Sequence, residues 1–122
     1  LALAKEYIGE RLARGSSVIF LALDTNKNPL GFTQLYPSYC SVAAAPIWIL
    51  YDLYVDSDAR NNGVAKALMN RALLLAQETG ASRIDLETAI DNFAAQALYE
   101  SLGYEKETEF YKYSLDLSAI PQ

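Results

Sequence analysis

The rhythm of apolar and polar positions changes several times along this chain of 122 residues. Ala4, Ile8 and Leu12 recur every four residues, with Lys5, Glu6, Glu10 and Arg11 off that stripe, which predicts a helix over residues 1–14 stopped by Gly15. A helix that opens without a capping residue carries the expectation that an earlier segment is missing. Residues 18–23 form a β-favouring run, Asp24-Thr25-Asn26-Lys27-Asn28-Pro29 is dense in turn formers, and residues 30–36 follow as the hairpin partner. Residues 37–46 read as a loop or irregular continuation. Residues 47–55 are rich in Trp, Ile, Tyr, Leu and Val, apolar on both faces, and predict a central strand.

The second half alternates helix with strand. Val64, Leu68, Ala72 and Ala76 line one side of a helix over residues 63–78, with Gly80 closing it. Residues 83–88 alternate, Ile84 and Leu86 against Asp85 and Glu87, and predict a strand. Asp91 and Asn92 are good caps for a helix over residues 93–102 that ends at Gly103. Phe110, Tyr113 and Leu115 suggest a terminal strand, or bent strand pair, over residues 107–117. A hairpin followed by alternating helices and strands favours a mixed, largely antiparallel α/β sheet flanked by helices, in one domain over residues 1–122.

Composition then narrows the function. A net charge of −5 argues against nucleic acid, which is met by basic surfaces, and fits a cationic small molecule as well as plain solubility. No apolar run reaches the length of a membrane span. Cys40 is the only cysteine, so no internal disulfide forms and a reducing, cytoplasmic setting is expected. With no histidine, His-based triads and most zinc sites drop out, and no metal site is expected.

One stretch resists a purely structural account. Arg60-Asn61-Asn62-Gly63-Val64-Ala65 puts a bendable loop and a cation directly before the helix with the clearest apolar stripe. The first N–H groups of a helix have no partner inside it, and they lie at the positive end of its dipole. Gly63 admits a close approach to the backbone, Ala65 keeps the next turn small, and Arg60 adds fixed charge, so the loop suits a diphosphate. An ordinary turn before a helix would look similar. The spacing matches neither the Rossmann fingerprint nor the nucleotide P-loop.

The segment LYDLYVDSDARNNGVAKALMNRAL resembles the signature of the GNAT superfamily of acyl-CoA-dependent N-acetyltransferases, whose form is a strand ending in apolar-x-Val, a polar loop, then Arg/Gln-x-x-Gly-x-Gly/Ala. A second segment, Asn92 to Tyr104, resembles the family's later Asn-x-x-Ala-x-x-Leu-Tyr-x-x-x-Gly-Phe/Tyr helix. The two stand in the family's order, and the likeness covers residues 15–117. It implies a GNAT fold, here apparently without its first strand and helix, and acetyl-CoA as the acyl donor. It further implies that Arg60 and the amides of Asn61, Asn62, Gly63, Val64 and Ala65 hold the pyrophosphate. The backbone of Leu53, Tyr54 and Val55 would pair with the pantetheine arm, Asn92 would reach that arm, and Tyr99 would face the thioester sulfur.

Acetyl transfer to a primary amine of a small molecule or peptide needs a neutral nitrogen, and deprotonating an amine of ordinary basicity at pH 7 costs about 4–5 kcal/mol. Asp52, interrupting an apolar strand, is the leading base; Glu87 or a water is the alternative. Family members often carry an acid at the position of Tyr51, so a catalytically inactive CoA-binding regulatory or interaction module is the second reading. A backbone N–H near Val55 could serve the oxyanion, and Tyr99 could protonate the departing thiolate. Tyr36, Tyr39, Tyr51, Tyr54, Tyr111 and Tyr113 could line an acceptor pocket, although sheet packing accounts for most such residues. Cys40 is expected to be structural, and Lys66 and Arg71 to be solvated helix residues. An open sheet edge suggests a homodimer.

Overall fold

The hairpin expected around residues 24–29 forms because one side chain organises its turn. Asp24 Oδ1 accepts from the amides of Asn26 and Asn28, each at 2.8 Å, and Lys27 takes a left-handed φ of 64°. These bonds, foremost those from Asn28, hold the Asp24 carboxyl below its usual range. Strands β2 (Ser17–Leu23) and β3 (Pro29–Cys40) leave this turn antiparallel. The computed structural model describes residues 10–14, 17–42 and 44–119, which belong to two units, one reaching to Glu87 and one starting at Thr88.

In the first unit, β1 (Glu10–Arg14), β2, β3, β4 (Ala45–Val55) and β5 (Ile84–Leu86) form one sheet in chain order. All neighbours are antiparallel except β4 and β5, which run parallel. Helix α1 (Val64–Glu78) packs on β2, β3 and β4. Its Val64, Leu68, Met69, Ala72, Leu75 and Ala76 meet Val18, Phe20, Leu35 and Leu50 in the core. Arg71 lies with its Cζ 4.8 Å from the centre of the Phe20 ring, so it is a stacked cation and not the solvated residue expected of it. Thr79, at the helix C-terminus, donates to the Leu75 carbonyl at 2.8 Å and accepts from Trp48 Nε1 at 2.9 Å, tying α1 to β4.

Two expectations about strands in this unit are corrected. Residues 10–14 are not helical but pair with β2 from Glu10↔Leu21 to Arg14↔Ser17; ladder hydrogen bonds on an open strand edge outweigh a four-residue apolar spacing. Residues 1–9 of that expected helix lie outside the described residues. The expected loop over residues 37–46 is mostly strand, since β3 runs on to Cys40 and β4 starts at Ala45 across a short turn. Pro37 is tolerated there because β3 has passed the end of β2, whose pairing stops at Leu35, and its missing N–H leaves no gap in a ladder.

In the second unit, helix α2 (Phe93–Ser101) is capped by Asn92, whose Oδ1 accepts from the Ala95 amide at 3.1 Å. Gln96 Nε2 donates to the Ala89 and Ile90 carbonyls, 3.1 Å each, and fixes the turn before it. The terminal strand expected over residues 107–117 is absent: residues 104–116 are irregular, and Phe110, Tyr111, Tyr113 and Leu115 are exposed. Alternation alone makes no strand without a partner ladder. Among the described residues, no helix is long and apolar enough to cross a membrane.

Candidate functional site

The site grows out of an interruption in β4. Gln34 pairs with Asp52 but Leu35 pairs with Leu50, so Tyr51 is an extra residue, a bulge. The buried hydroxyl of Thr33 meets the Asp52 carbonyl at 2.7 Å, so the polar backbone at the bulge is not left unsatisfied. Pairing between β4 and β5 covers only Trp48↔Ile84 to Leu50↔Leu86. From Tyr51 to Val55, β4 therefore keeps β3 on one edge and, among the described residues, has no strand on the other. Leu53, Tyr54 and Val55 lie on this half-open stretch. Gly31 lies against it because a Cβ there would run into the Tyr54 carbonyl.

The loop that follows is built for open donors. Arg60 turns back to give its Nε–H to the Val55 carbonyl at 3.1 Å, which fixes the guanidinium at the strand end. Asn61 and Gly63 take left-handed φ values of 65° and 79°, a route that glycine follows at least cost. Gly63 is the N-cap of α1 and supplies no side-chain cap, while the first turn carries no acid. The first intrahelical bond runs from the Ala67 amide to the Gly63 carbonyl at 3.0 Å. Among the described residues, the amides of Asn61, Asn62, Gly63, Val64 and Ala65 have no acceptor. Unpaired N–H groups gathered at a helix N-terminus can receive an anion.

By register, Gln34 and Tyr36 face away from α1, on the side of the sheet opposite to the core residues Thr33 and Leu35. Tyr36, Pro37, Ser38, Ile49, Tyr51 and Asp52 line an open groove of about 540 Å³. Gln34 Nε2 donates to the Tyr36 hydroxyl at 2.8 Å, and the rings of Tyr36 and Tyr51 stand edge to face, centres 4.9 Å apart and planes at 84°. Of the six tyrosines considered from sequence, only Tyr36 and Tyr51 line this groove. Sequence reasoning passed over Thr33 and Gln34, because only strand register sets them beside Asp52. Cys40 receives a hydrogen bond from Arg83 Nη1 at 3.3 Å, while Arg83 Nε binds Asp85 at 2.9 Å. Glu87 is exposed just after β5.

The other motif residues lie in the second unit. Asn92 spends its carbonyl oxygen as the α2 cap. Tyr99 is half-buried on α2, its ring 6.0 Å from that of Tyr104. Burial raises the Tyr99 phenol above its ordinary value, and burial together with Tyr99 pushes Tyr104 up to about 12.

Comparison with known proteins places this geometry. The sequence profile of the Acetyltransferase (GNAT) family matches residues 2–104. The chain belongs to the GNAT acetyltransferase family. An N-acetyltransferase of Bacillus subtilis strain 168, YhfO, itself uncharacterised, is 40% identical over 116 residues, 95% of this chain and 77% of that protein. Human N-acetyltransferase 8 is 32% identical over 104 residues, 85% of this chain but 44% of its own length. The crystal structure of a probable acetyltransferase superimposes with a TM-score of 0.79 at 43% identity, covering 86% of this chain and 70% of that one. As a GNAT protein this chain is an N-acetyltransferase.

Proposed function

We propose that the GNAT chain transfers an acetyl group from acetyl-CoA to a primary amine of a small molecule or peptide within a ternary complex. The unpaired amides before α1, with the tethered Arg60, support this reading most directly. They suit a diphosphate, since no side chain hydrogen-bonds as a cap at the helix start and no acid lies in its first turn. Leu53, Tyr54 and Val55 offer the pantetheine arm a strand edge, which suits its amides by β-addition. The side-chain amide of Asn92 has no described partner and is assigned to that arm.

When bound, acetyl-CoA supplies the acetyl group as a thioester, which the amine converts to an amide by forming C–N as C–S breaks. The chain's own residues handle the protons and orient the amine. Asp52 takes the ammonium proton, directly or through water; its carboxylate has no hydrogen-bond or ion-pair partner among the described residues. A backbone N–H at the open edge near Val55 is assigned to the oxyanion. Tyr99 is assigned the proton that the leaving sulfur needs. Its raised phenol is protonated at neutral pH, and giving that proton to the departing thiolate, whose thiol has ordinary acidity, is uphill by at least about 2 kcal/mol, which a transient donor tolerates. The single cysteine and acidic charge suit the cytoplasm, and the outer edge of β5 suits pairing in a homodimer.

Acetyl-CoA is expected to raise the melting temperature, and an amine panel to release free CoA thiol from it. Stabilisation without release by any amine would replace this reading with a CoA-binding module, the reading that Tyr51 in place of an acid favours. Neither stabilisation nor release would overturn it.

A further inference from the structure

We propose that the corner formed by Tyr36 and Tyr51, with Asp52 beside it, is a seat for a small organic ammonium ion, and that it selects cationic acceptors over neutral molecules of the same size. This rests on the acetyl-transfer reading above and names the acceptor class for it.

The sequence carries the aromatics and the acid, but the bulge brings them together. The extra residue at position 51 breaks the alternation of β4, so Tyr51 and Asp52 both reach the same groove although they are adjacent in sequence. In a regular strand, neighbouring side chains point to opposite faces. Planes at 84° set the edge of one ring on the face of the other, so the edge-on ring keeps its own π face for a compact cation and the second ring walls it at the side. The Gln34 side chain, through its hydrogen bond to the Tyr36 hydroxyl, fixes one wall of that recess. Orientation set in advance lowers the ordering cost that exposed aromatic side chains otherwise impose on binding.

Charge points the same way. No lysine or arginine is among the six lining residues, and the Asp52 carboxylate has no partner among the described residues to offset it. Pro37 and Ile49 add apolar walls and no further charge. An anionic acceptor would meet Asp52 with no lysine or arginine among the described lining residues to balance the repulsion. A neutral one would gain neither the Coulomb attraction nor the interaction with the rings. The groove is open and about 540 Å³, which suits a small molecule whose remainder extends into solvent. Its Tyr51 and Asp52 end adjoins the stretch of β4 edge assigned to the pantetheine arm, so a seated amine lies beside the strand that would hold the donor.

The test uses tetramethylammonium, which cannot accept an acyl group, with tert-butanol as its uncharged counterpart. Binding is measured by calorimetry on the full chain, and inhibition by acetyl-transfer kinetics with a cationic amine. Tetramethylammonium is expected to bind and to raise the amine KM without changing kcat, whereas tert-butanol does neither. Tyr51→Leu weakens tetramethylammonium binding roughly tenfold, Tyr51→Phe keeps it, and Tyr39→Leu, which alters an exposed tyrosine outside the groove, leaves it unchanged. Equal binding of the two probes, or indifference to Tyr51→Leu in a variant whose melting temperature is preserved, overturns the proposal. Tyr36→Phe tests the Gln34 tether separately: the ring remains, and the expected change is a smaller loss, about threefold, from a less ordered wall. If tetramethylammonium binds as described while no amine releases CoA thiol, the seat stands and the transfer reading fails. If transfer proceeds but ignores tetramethylammonium, the transfer reading stands and the seat fails.

Discussion

From Trp48 to Leu50, strand β4 has β3 on one edge and β5 on the other; from Tyr51 onward, among the described residues, β3 alone accompanies it. The two halves are also different solvents. Ile47, Trp48 and Leu50 are buried, while Tyr51, Asp52 and Tyr54 are exposed. One strand thus spends its first half on stability and its second on an edge and an acid that have no partner among the described residues, and on two accessible rings. The bulge marks the change, and it lets a rigid, packed segment aim a soft, hydrated one.

Four expected outcomes break or sharpen that comparison. Leu50→Ala, in the buried half, should lower the unfolding free energy by about 2–5 kcal/mol in urea titration. A loss below about 1 kcal/mol would mean that the first half is not the structural one. Asp52→Asn, two residues on, should leave urea stability within about 0.5 kcal/mol and cut kcat for acetyl transfer by about a hundredfold. Equal losses of stability at the two positions would erase the contrast. Gly63→Ala meets a φ of 79° and should cost about 1 kcal/mol of stability while weakening acetyl-CoA several-fold, with amine KM unchanged.

The smallest effect lies away from β4 and serves as a control. Tyr104 is raised from 10.0 to about 12 by burial first and Tyr99 second. The folded state therefore holds the phenol proton more tightly than the unfolded chain. The stability this contributes is complete below pH 10 and is lost as pH rises from about 10 to 12. Thermal melts across that window should fall less steeply for Tyr104→Phe than for the unaltered chain.

Much of the architecture was legible from local pattern. The α1 stripe of Val64, Leu68, Ala72 and Ala76 is buried as its spacing required, because a 3.6-residue period leaves one face for a core. The turn at residues 24–29 forms as its Asp and Asn content implied. Local pattern misled where a strand edge decided the outcome. Residues 10–14 gained a partner in β2 and became strand, while residues 107–116 join no strand pairing among the described residues and stay irregular despite their alternation.

The same division holds in the site. The loop from Arg60 to Ala65 could be read directly, since a glycine before an apolar helix needs only neighbours in sequence to leave amides unpaired. Asp52 stood out as an acid in an apolar run. Tyr36 and Tyr51 were among six candidate pocket tyrosines, but Gln34 was not read at all, and no periodicity reveals the register shift between Gln34 and Leu35 that gathers them. The sequence by itself determined helices α1 and α2, the turn chemistry and the donor-rich loop, because these depend on residues a few positions apart. Only the tertiary structure decided the bulge, the open edge of β4 and the Tyr36–Tyr51 corner, because strand pairing joins distant segments and one inserted residue redirects the side chains on either side of it.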